Sequence, residues 1–191
     1  KVDGLGYSWW WREYFRKNLA GRPHQLRMER VRNVLIEETR WVNSPMYHML
    51  LTDIDSFLIQ NMEIFVDIFK QEELATENGF WDFDLGIPTF PLNTDGIDPS
   101  GSNVLIRNVT ITNFDDAVAV KPAHNTNQIA PCAENILVED SLVYFSVGMT
   151  IGSVPPRSSY ACIRDVTFRN IKMILPIKAI YVKTNPGDDG D

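Results

Sequence analysis

The stretch Asn103-Val104-Leu105-Ile106-Arg107-Asn108 decides the fold, because it is one of five copies of a single pattern. A polar turn residue is followed by apolar, variable, apolar and variable positions, and a polar residue closes the unit. The other copies are Asn33-Val34-Leu35-Ile36-Glu37-Glu38, Ser56-Phe57-Leu58-Ile59-Gln60-Asn61, Asn135-Ile136-Leu137-Val138-Glu139-Asp140 and Asp165-Val166-Thr167-Phe168-Arg169-Asn170. They begin at residues 33, 56, 103, 135 and 165, so successive starts lie 23, 47, 32 and 30 residues apart. Periods of this size mark an array of stacked units. Alternation with period two, rich in Val, Ile, Leu and Phe, marks strands with one face on a core. The connections are too long for hairpins and are broken by Gly, Pro, Asn and Asp, which suits a chain winding forward through successive coils. The predicted fold is all-β, a parallel β-helix. A β-sandwich fits less well, since sandwich connections are mostly short and those here are long.

In such a solenoid, strands at the same place in successive coils lie about 4.8 Å apart. Polar corner residues then stack, and Asn33, Asn103, Asn135 and Asp165 are expected to form part of one ladder. Cys132 and Cys162 each lie three residues before the start of a repeat, which puts them on adjacent coils. They either pair or remain as two buried thiols, and spacing does not choose between these. Gln71 to Gly86, acidic and aromatic, interrupts the period and reads as a loop on one edge of the solenoid.

With 191 residues and 44% hydrophobic content, the chain holds one sizeable core, and a single domain over residues 1–191 is expected. No apolar run has the roughly 18 residues of a membrane span, so a membrane partner is not expected. A formal net charge of −7 with no concentrated basic surface argues against nucleic acid. The cysteines lack metal-ligand spacing, and no metal or other cofactor is expected. Lys1-Val2-Asp3 reads as mid-coil sequence and the tail after Asn185 leaves the last strand without a following coil, so the solenoid is expected to be incomplete at both ends.

Two carboxylate clusters sit about one repeat apart: Asp95, in Asn93-Thr94-Asp95-Gly96, and Asp115-Asp116, opening the run Ala117-Val118-Ala119-Val120-Lys121. Each leads into a short apolar strand, so stacking brings three acids to one patch, which is the equipment of a glycoside hydrolase. Asp and Asn are also ordinary turn residues before strands, and that reading stands beside the catalytic one. Three close carboxyls let one hold a proton while its neighbours ionise. Adjacent residues on a regular strand face opposite ways, so Asp115 and Asp116 can both serve only if the backbone turns there.

Gly4-Leu5-Gly6 followed by Trp9-Trp10-Trp11, then Arg22-Pro23-His24, Asn43-Ser44-Pro45, Asn93-Thr94-Asp95-Gly96-Ile97-Asp98, Asp115-Asp116, Gly148-Met149-Thr150-Ile151-Gly152-Ser153 and Val182-Lys183-Thr184 occur in that order. The set resembles glycoside hydrolase family 28, the polygalacturonase family of pectin-degrading enzymes, in a fungal-type and exo-leaning form. The resemblance implies a right-handed parallel β-helix and hydrolysis of α-1,4-galacturonosyl bonds with inversion, on pectic polysaccharide or oligogalacturonide. A rhamnogalacturonan or xylogalacturonan hydrolase, or an impaired β-helix that binds pectin, is the alternative. By position, Asp115 resembles the general acid, and Asp95 and Asp116 the pair that holds and deprotonates the water. It also implies an extracellular protein, with which the sequon Asn108-Val109-Thr110 is consistent, and a monomeric parent.

Three positions depart from the family pattern. Val147 stands where the family carries a histidine, Tyr181 where it carries the arginine of Arg-x-Lys, and Ala117 where it often has a cysteine. A valine cannot support an acid's proton state, and a tyrosine supplies no charge for a uronate. Lys183 is then the remaining candidate to pair with a substrate carboxylate, Tyr181 to stack on or hydrogen-bond a sugar, and Asn93 to position sugar or water. His124 is the histidine nearest the chemistry in sequence and a candidate substrate contact, whereas His48, His24 and the tryptophans read as structural.

Overall fold

A computed structural model describes residues 1–10, 21–70, 73, 91–155 and 160–185. Among the described residues, eleven strands follow in order: β1 (Val2–Asp3), β2 (Leu26–Glu29), β3 (Arg32–Glu37), β4 (Arg40–Val42), β5 (Met49–Phe65), β6 (Ile97–Thr112), β7 (Asp116–Val120), β8 (Glu134–Tyr144), β9 (Gly148–Val154), β10 (Val166–Ile174) and β11 (Ile180–Thr184). Every strand pairing among them is parallel. The result is a parallel β-helix. The segment Gln71–Gly86, apart from residue 73, lies outside the described residues.

Three ladders define three faces. The first stacks Leu26, Met49, Ile97, Val118, Met149 and Ile180. The second stacks Val34, Phe57, Val104, Ile136 and Val166, and these are the hexapeptides. The third stacks Trp41, Ile64, Ile111, Val143 and Met173. Strands β5 and β6 are long because each runs through all three faces without a break.

The polar residues that open the hexapeptides all sit in the left-handed region: Asn33, Ser56, Asn103, Asn135 and Asp165 have φ between 52° and 60°. So do the closing residues Glu38, Asn61, Asn108, Asp140 and Asn170, between 49° and 54°. Asn and Asp tolerate this conformation better than other residues with a Cβ, which explains why the corners repeat in kind. The corners are also bonded to each other. Asn135 Nδ2 donates to Asn103 Oδ1 at 2.7 Å, and Asn103 Nδ2 to Asp55 Oδ1 at 2.8 Å. At the second corner Asn108 Nδ2 donates to Asn61 Oδ1 at 2.7 Å, and Asn61 Nδ2 to Glu38 Oε1 at 3.1 Å.

The lumen is filled by side chains that alternate inward, among them Met49, Leu51, Ile59, Ile97, Ile106, Ile111, Ile136 and Met149, each at most 1% exposed. Each contributes about 1.5–3 kcal/mol by burial. Of the tryptophans that are described, Trp10 is buried against Val66 and Phe114 and donates its Nε1–H to Ser44 O at 3.1 Å. Cys132 and Cys162 are disulfide-bonded, with Cα atoms 4.8 Å apart, which closes the question their spacing left open. The bridge ties the connection after β7 to the connection after β9.

Candidate active site

The three acids lie where the chain enters the first face. Asp95 closes the turn before β6, Asp115 ends the turn before β7, and Asp116 begins β7. One oxygen from each carboxyl can be chosen so that all three lie within 4.8 Å of one another. The backbone turn that Asp115 and Asp116 require is present. Asp116 pairs with Gly148 and Val118 with Met149, so Ala117 is an extra residue, a bulge that re-aims the strand entrance.

Asp95 is brought up against the next coil by its neighbour. A Cβ on Gly96 would stand 2.3 Å from Ala117 O, so only glycine permits this approach, and Gly96 N–H donates to Asp116 O at 2.9 Å. Asn113, fully buried, joins the same two turns by donating to Thr94 O at 3.0 Å and Asp116 O at 2.8 Å. From the preceding coil, His48 holds Asp95 by its main chain. Its N–H and its Nδ1–H reach Asp95 O at 2.8 and 3.0 Å, while Nε2 accepts Ser44 N–H. Burial pushes this histidine down to about 4, so it works as a neutral brace.

Asp115 is the one partly exposed member of the three. Its Oδ2 accepts Asn93 N–H at 2.8 Å and its Oδ1 accepts Asp116 N–H at 2.9 Å. The next coil holds its carbonyl through Ser146 Oγ at 2.7 Å and Val147 N–H at 2.9 Å. Val147 thus touches the acid through its backbone. Asn93 has φ 60°, and its Oδ1 accepts from Arg22 Nη2 at 3.0 Å. Arg22, 8% exposed, also donates to Pro45 O at 3.2 Å and Leu92 O at 2.8 Å, clamping the turn that carries Asn93.

Asp116 is fully covered, and by polar groups of the outer surface. Thr150 Oγ1 donates to its Oδ1 at 2.7 Å, Tyr181 O–H donates to the same oxygen, and Lys183 Nζ lies 3.0 Å from Oδ2. Burial raises the phenol of Tyr181, and its hydrogen bond to Asp116 raises it further. Burial alone would lower Lys183; the hydrogen bond to Asp116 and the charges of Asp116, Asp115 and Asp95 outweigh it, and the net shift is upward. Both side chains therefore brace Asp116 here. His124 is exposed on the connection after β7, where its N–H donates to Gln128.

Asp95 is pushed well above the ordinary carboxylate range, first by burial and then by the charges of Asp98 and Asp115. Asp98, on the outer side of the first face, is raised to about 7 by burial, against the opposing pull of Lys121. Lys121 Nζ lies 3.3 Å from Asp98 Oδ2 and pairs with it, while Asp98 Oδ1 has no hydrogen-bond partner among the described residues. Sequence reasoning passed over Asp98, Asn113 and Thr150 as working residues. Asp98 and Thr150 stand inside the ordered motifs quoted above, and Asn113 left no signal.

The sequence profile of glycosyl hydrolases family 28 matches residues 1–191. The chain belongs to this glycosyl hydrolase family. Rhamnogalacturonase A of Aspergillus niger is 27% identical over 186 residues, covering 97% of this chain and 33% of that protein. A probable endo-xylogalacturonan hydrolase A of Aspergillus fumigatus is 36% identical over 101 residues, covering 52% and 22%. The crystal structure of endo-xylogalacturonan hydrolase from Aspergillus tubingensis superposes with a TM-score of 0.75 at 23% identity, over 98% of this chain and 44% of that one. This likeness supports the right-handed β-helix. The chain spans about a third of the length of the rhamnogalacturonases it matches.

Proposed function

We propose that the protein hydrolyses the backbone of a pectic polysaccharide at the Asp95, Asp115 and Asp116 cluster. The observation that carries this reading is the convergence of the three carboxyls, within 4.8 Å at their nearest oxygens, on one side of a β-helix. Asp115, the partly exposed member, protonates the glycosidic oxygen as the bond from the anomeric carbon breaks. A water oxygen forms the new bond to that carbon. Asp95 takes the proton the water loses, since burial and neighbouring charge give it the proton affinity a base needs. Asp116, neutralised by Lys183 and fixed by Thr150 and Tyr181, orients the water.

The spacing differs from the roughly 6.5–9.5 Å between carboxyls that inversion calls for. A water donating to two oxygens at about 2.8 Å each bridges oxygens about 4.5 Å apart. The close contacts therefore suit the pair that holds the water. Inversion then requires the Asp115 oxygen that meets the sugar to stand farther from that pair than the 4.8 Å within which one oxygen of each acid lies.

A rhamnogalacturonan or xylogalacturonan backbone is favoured over unbranched polygalacturonate. The similarity that spans 97% of the chain is to a rhamnogalacturonase, and Tyr181 removes a charge from the site. The disulfide fits an oxidising, extracellular setting. Incubation with rhamnogalacturonan, xylogalacturonan and polygalacturonate, followed by measurement of new reducing ends, tests the reading. Release from one of the first two, lost in Asp115→Asn, supports it. Binding without release in any case identifies a pectin-binding β-helix instead.

A further inference from the structure

The corner between the second and third faces carries a group that neither the core nor the acid cluster uses. Asn108 is followed by Val109 and Thr110, and this is the one Asn-x-Ser/Thr triplet of the chain. The other asparagines at the two ladder corners, Asn33, Asn61, Asn103, Asn135 and Asn170, have Leu, Glu or Lys in the place of the threonine. The fold presents the triplet unevenly. Asn108 is exposed, with φ 49°, Val109 points into the lumen and is 1% exposed, and Thr110 is half-buried on the outside of the third face.

The Asn108 amide is only half committed. One N–H of Nδ2 goes to Asn61 Oδ1 at 2.7 Å, and the second has no partner among the described residues. One coil further on the equivalent residue is Asp140, which accepts Asn170 Nδ2–H and, when ionised, has no proton to offer Asn108. Space for a substituent lies beside the amide. Asn108 and Thr110 line one end of a shallow polar groove over the third face, whose walls include Glu38, Arg40, Asn61 and Glu63. These side chains are hydrogen-bonding partners for sugar hydroxyl and acetamido groups. The acids lie where the chain enters the first face, so a glycan at this corner leaves that entrance open.

We infer that Asn108 is the attachment point of an N-linked glycan, and that the modified amide keeps its ladder bond to Asn61. This rests on the reading of an extracellular protein and not on the acid cluster. Transfer joins Nδ2 to the anomeric carbon of the first N-acetylglucosamine as the bond from that carbon to a lipid-linked diphosphate breaks. The diphosphate leaves with the electron pair, and one Nδ2 proton passes to the transferase. The other N–H stays and donates to Asn61. Strand β6 is paired on both sides, by β5 and β8, so the transferase reaches Thr110 before the coils stack.

For the test, the full chain is secreted from a yeast, and peptide masses are read before and after trimming with an endoglycosidase that leaves a single N-acetylglucosamine. The wild type carries a glycan on the peptide containing Asn108. Thr110→Ser retains it, whereas Thr110→Val, which keeps the amide, and Asn108→Asp both lose it. Urea unfolding then separates the bond from the sugar. The trimmed wild type unfolds like Thr110→Val. Asn108→Asp has no N–H for Asn61 and sets a second carboxylate beside Asp140, so its unfolding equilibrium constant is about tenfold larger. A folded, secreted wild type with unmodified Asn108 overturns the site, and a trimmed wild type that unfolds as easily as Asn108→Asp overturns the retained bond. Neither measurement involves turnover, so failure of the hydrolase reading leaves both outcomes unmoved.

Discussion

Replacing Asp98 by asparagine should change the pH dependence of stability in a way no surface substitution can. Asp98 is wholly inaccessible, and its pKa is raised from 3.8 to about 7, chiefly by burial and against the pull of Lys121. The folded protein therefore holds this proton more tightly than the unfolded chain does. The contribution is fully present below about pH 4 and is lost as pH rises through 7. A shift of about 3 units at about 1.4 kcal/mol each gives about 4 kcal/mol lost between pH 4 and pH 8. Asparagine cannot ionise, so the variant lacks this loss. Removing the Asp98 charge also relieves Asp95, whose raised proton affinity owes part of its size to Asp98, and this flattens the slope in the same direction. Urea unfolding at pH 4 and pH 8 measures the effect. Relative to the wild type, Asp98→Asn should gain about 4 kcal/mol between the two pH values, whatever the offset at pH 4. A difference that changes by less than about 1 kcal/mol would show that burial does not keep Asp98 protonated, and the account of the cluster's proton affinities would fail with it.

Other expectations follow from single contacts. Thr150→Val removes one of the donors to Asp116 and should lower kcat by about tenfold with KM little changed, since a hydrogen bond to a charged group is worth about 1.5–3 kcal/mol. Steady-state kinetics decide it, and a rise in KM alone would mean that Thr150 contacts the sugar. Arg22→Met leaves the carbonyls of Pro45 and Leu92 and the amide of Asn93 without their shared donor, and should cost about 3 kcal/mol in denaturant unfolding. A cost under 1 kcal/mol would remove the clamp from the account. Cys132→Ser with Cys162→Ser opens a 30-residue loop and should cost about 3–4 kcal/mol, seen as a lower thermal midpoint that no longer responds to reductant.

What could be read from residues alone was whatever repeats. The hexapeptides declared the coils because their polar ends must adopt a left-handed backbone and can bond to equivalents one coil away. The separations along the chain of these side-chain bonds, 23, 47, 32 and 30 residues, reproduce the steps between copies. The convergence of Asp95, Asp115 and Asp116 was legible because each lies at the entrance of a strand of the first face. What stayed hidden depended on direction. The bulge at Ala117, which lets neighbouring aspartates meet, leaves no mark in composition, and whether Cys132 and Cys162 face each other follows from coil geometry that spacing does not specify. That Tyr181 and Lys183 reach Asp116, more than sixty residues back in the chain, stayed hidden because it is set by the stacking of coils. His124 became a candidate by closeness in sequence to Asp116, and it lies exposed on the connection after β7.

The central claim is that the three carboxyls act together on one water and one glycosidic bond. Proton NMR of the first product released from a rhamnogalacturonan or xylogalacturonan backbone, recorded before mutarotation, tests it most directly. The account predicts the β anomer of galacturonate at the new reducing end, with none formed by Asp115→Asn. Appearance of the α anomer first would mean that a carboxylate attacks the sugar itself, and would contradict the assignment of the water to Asp95 and Asp116.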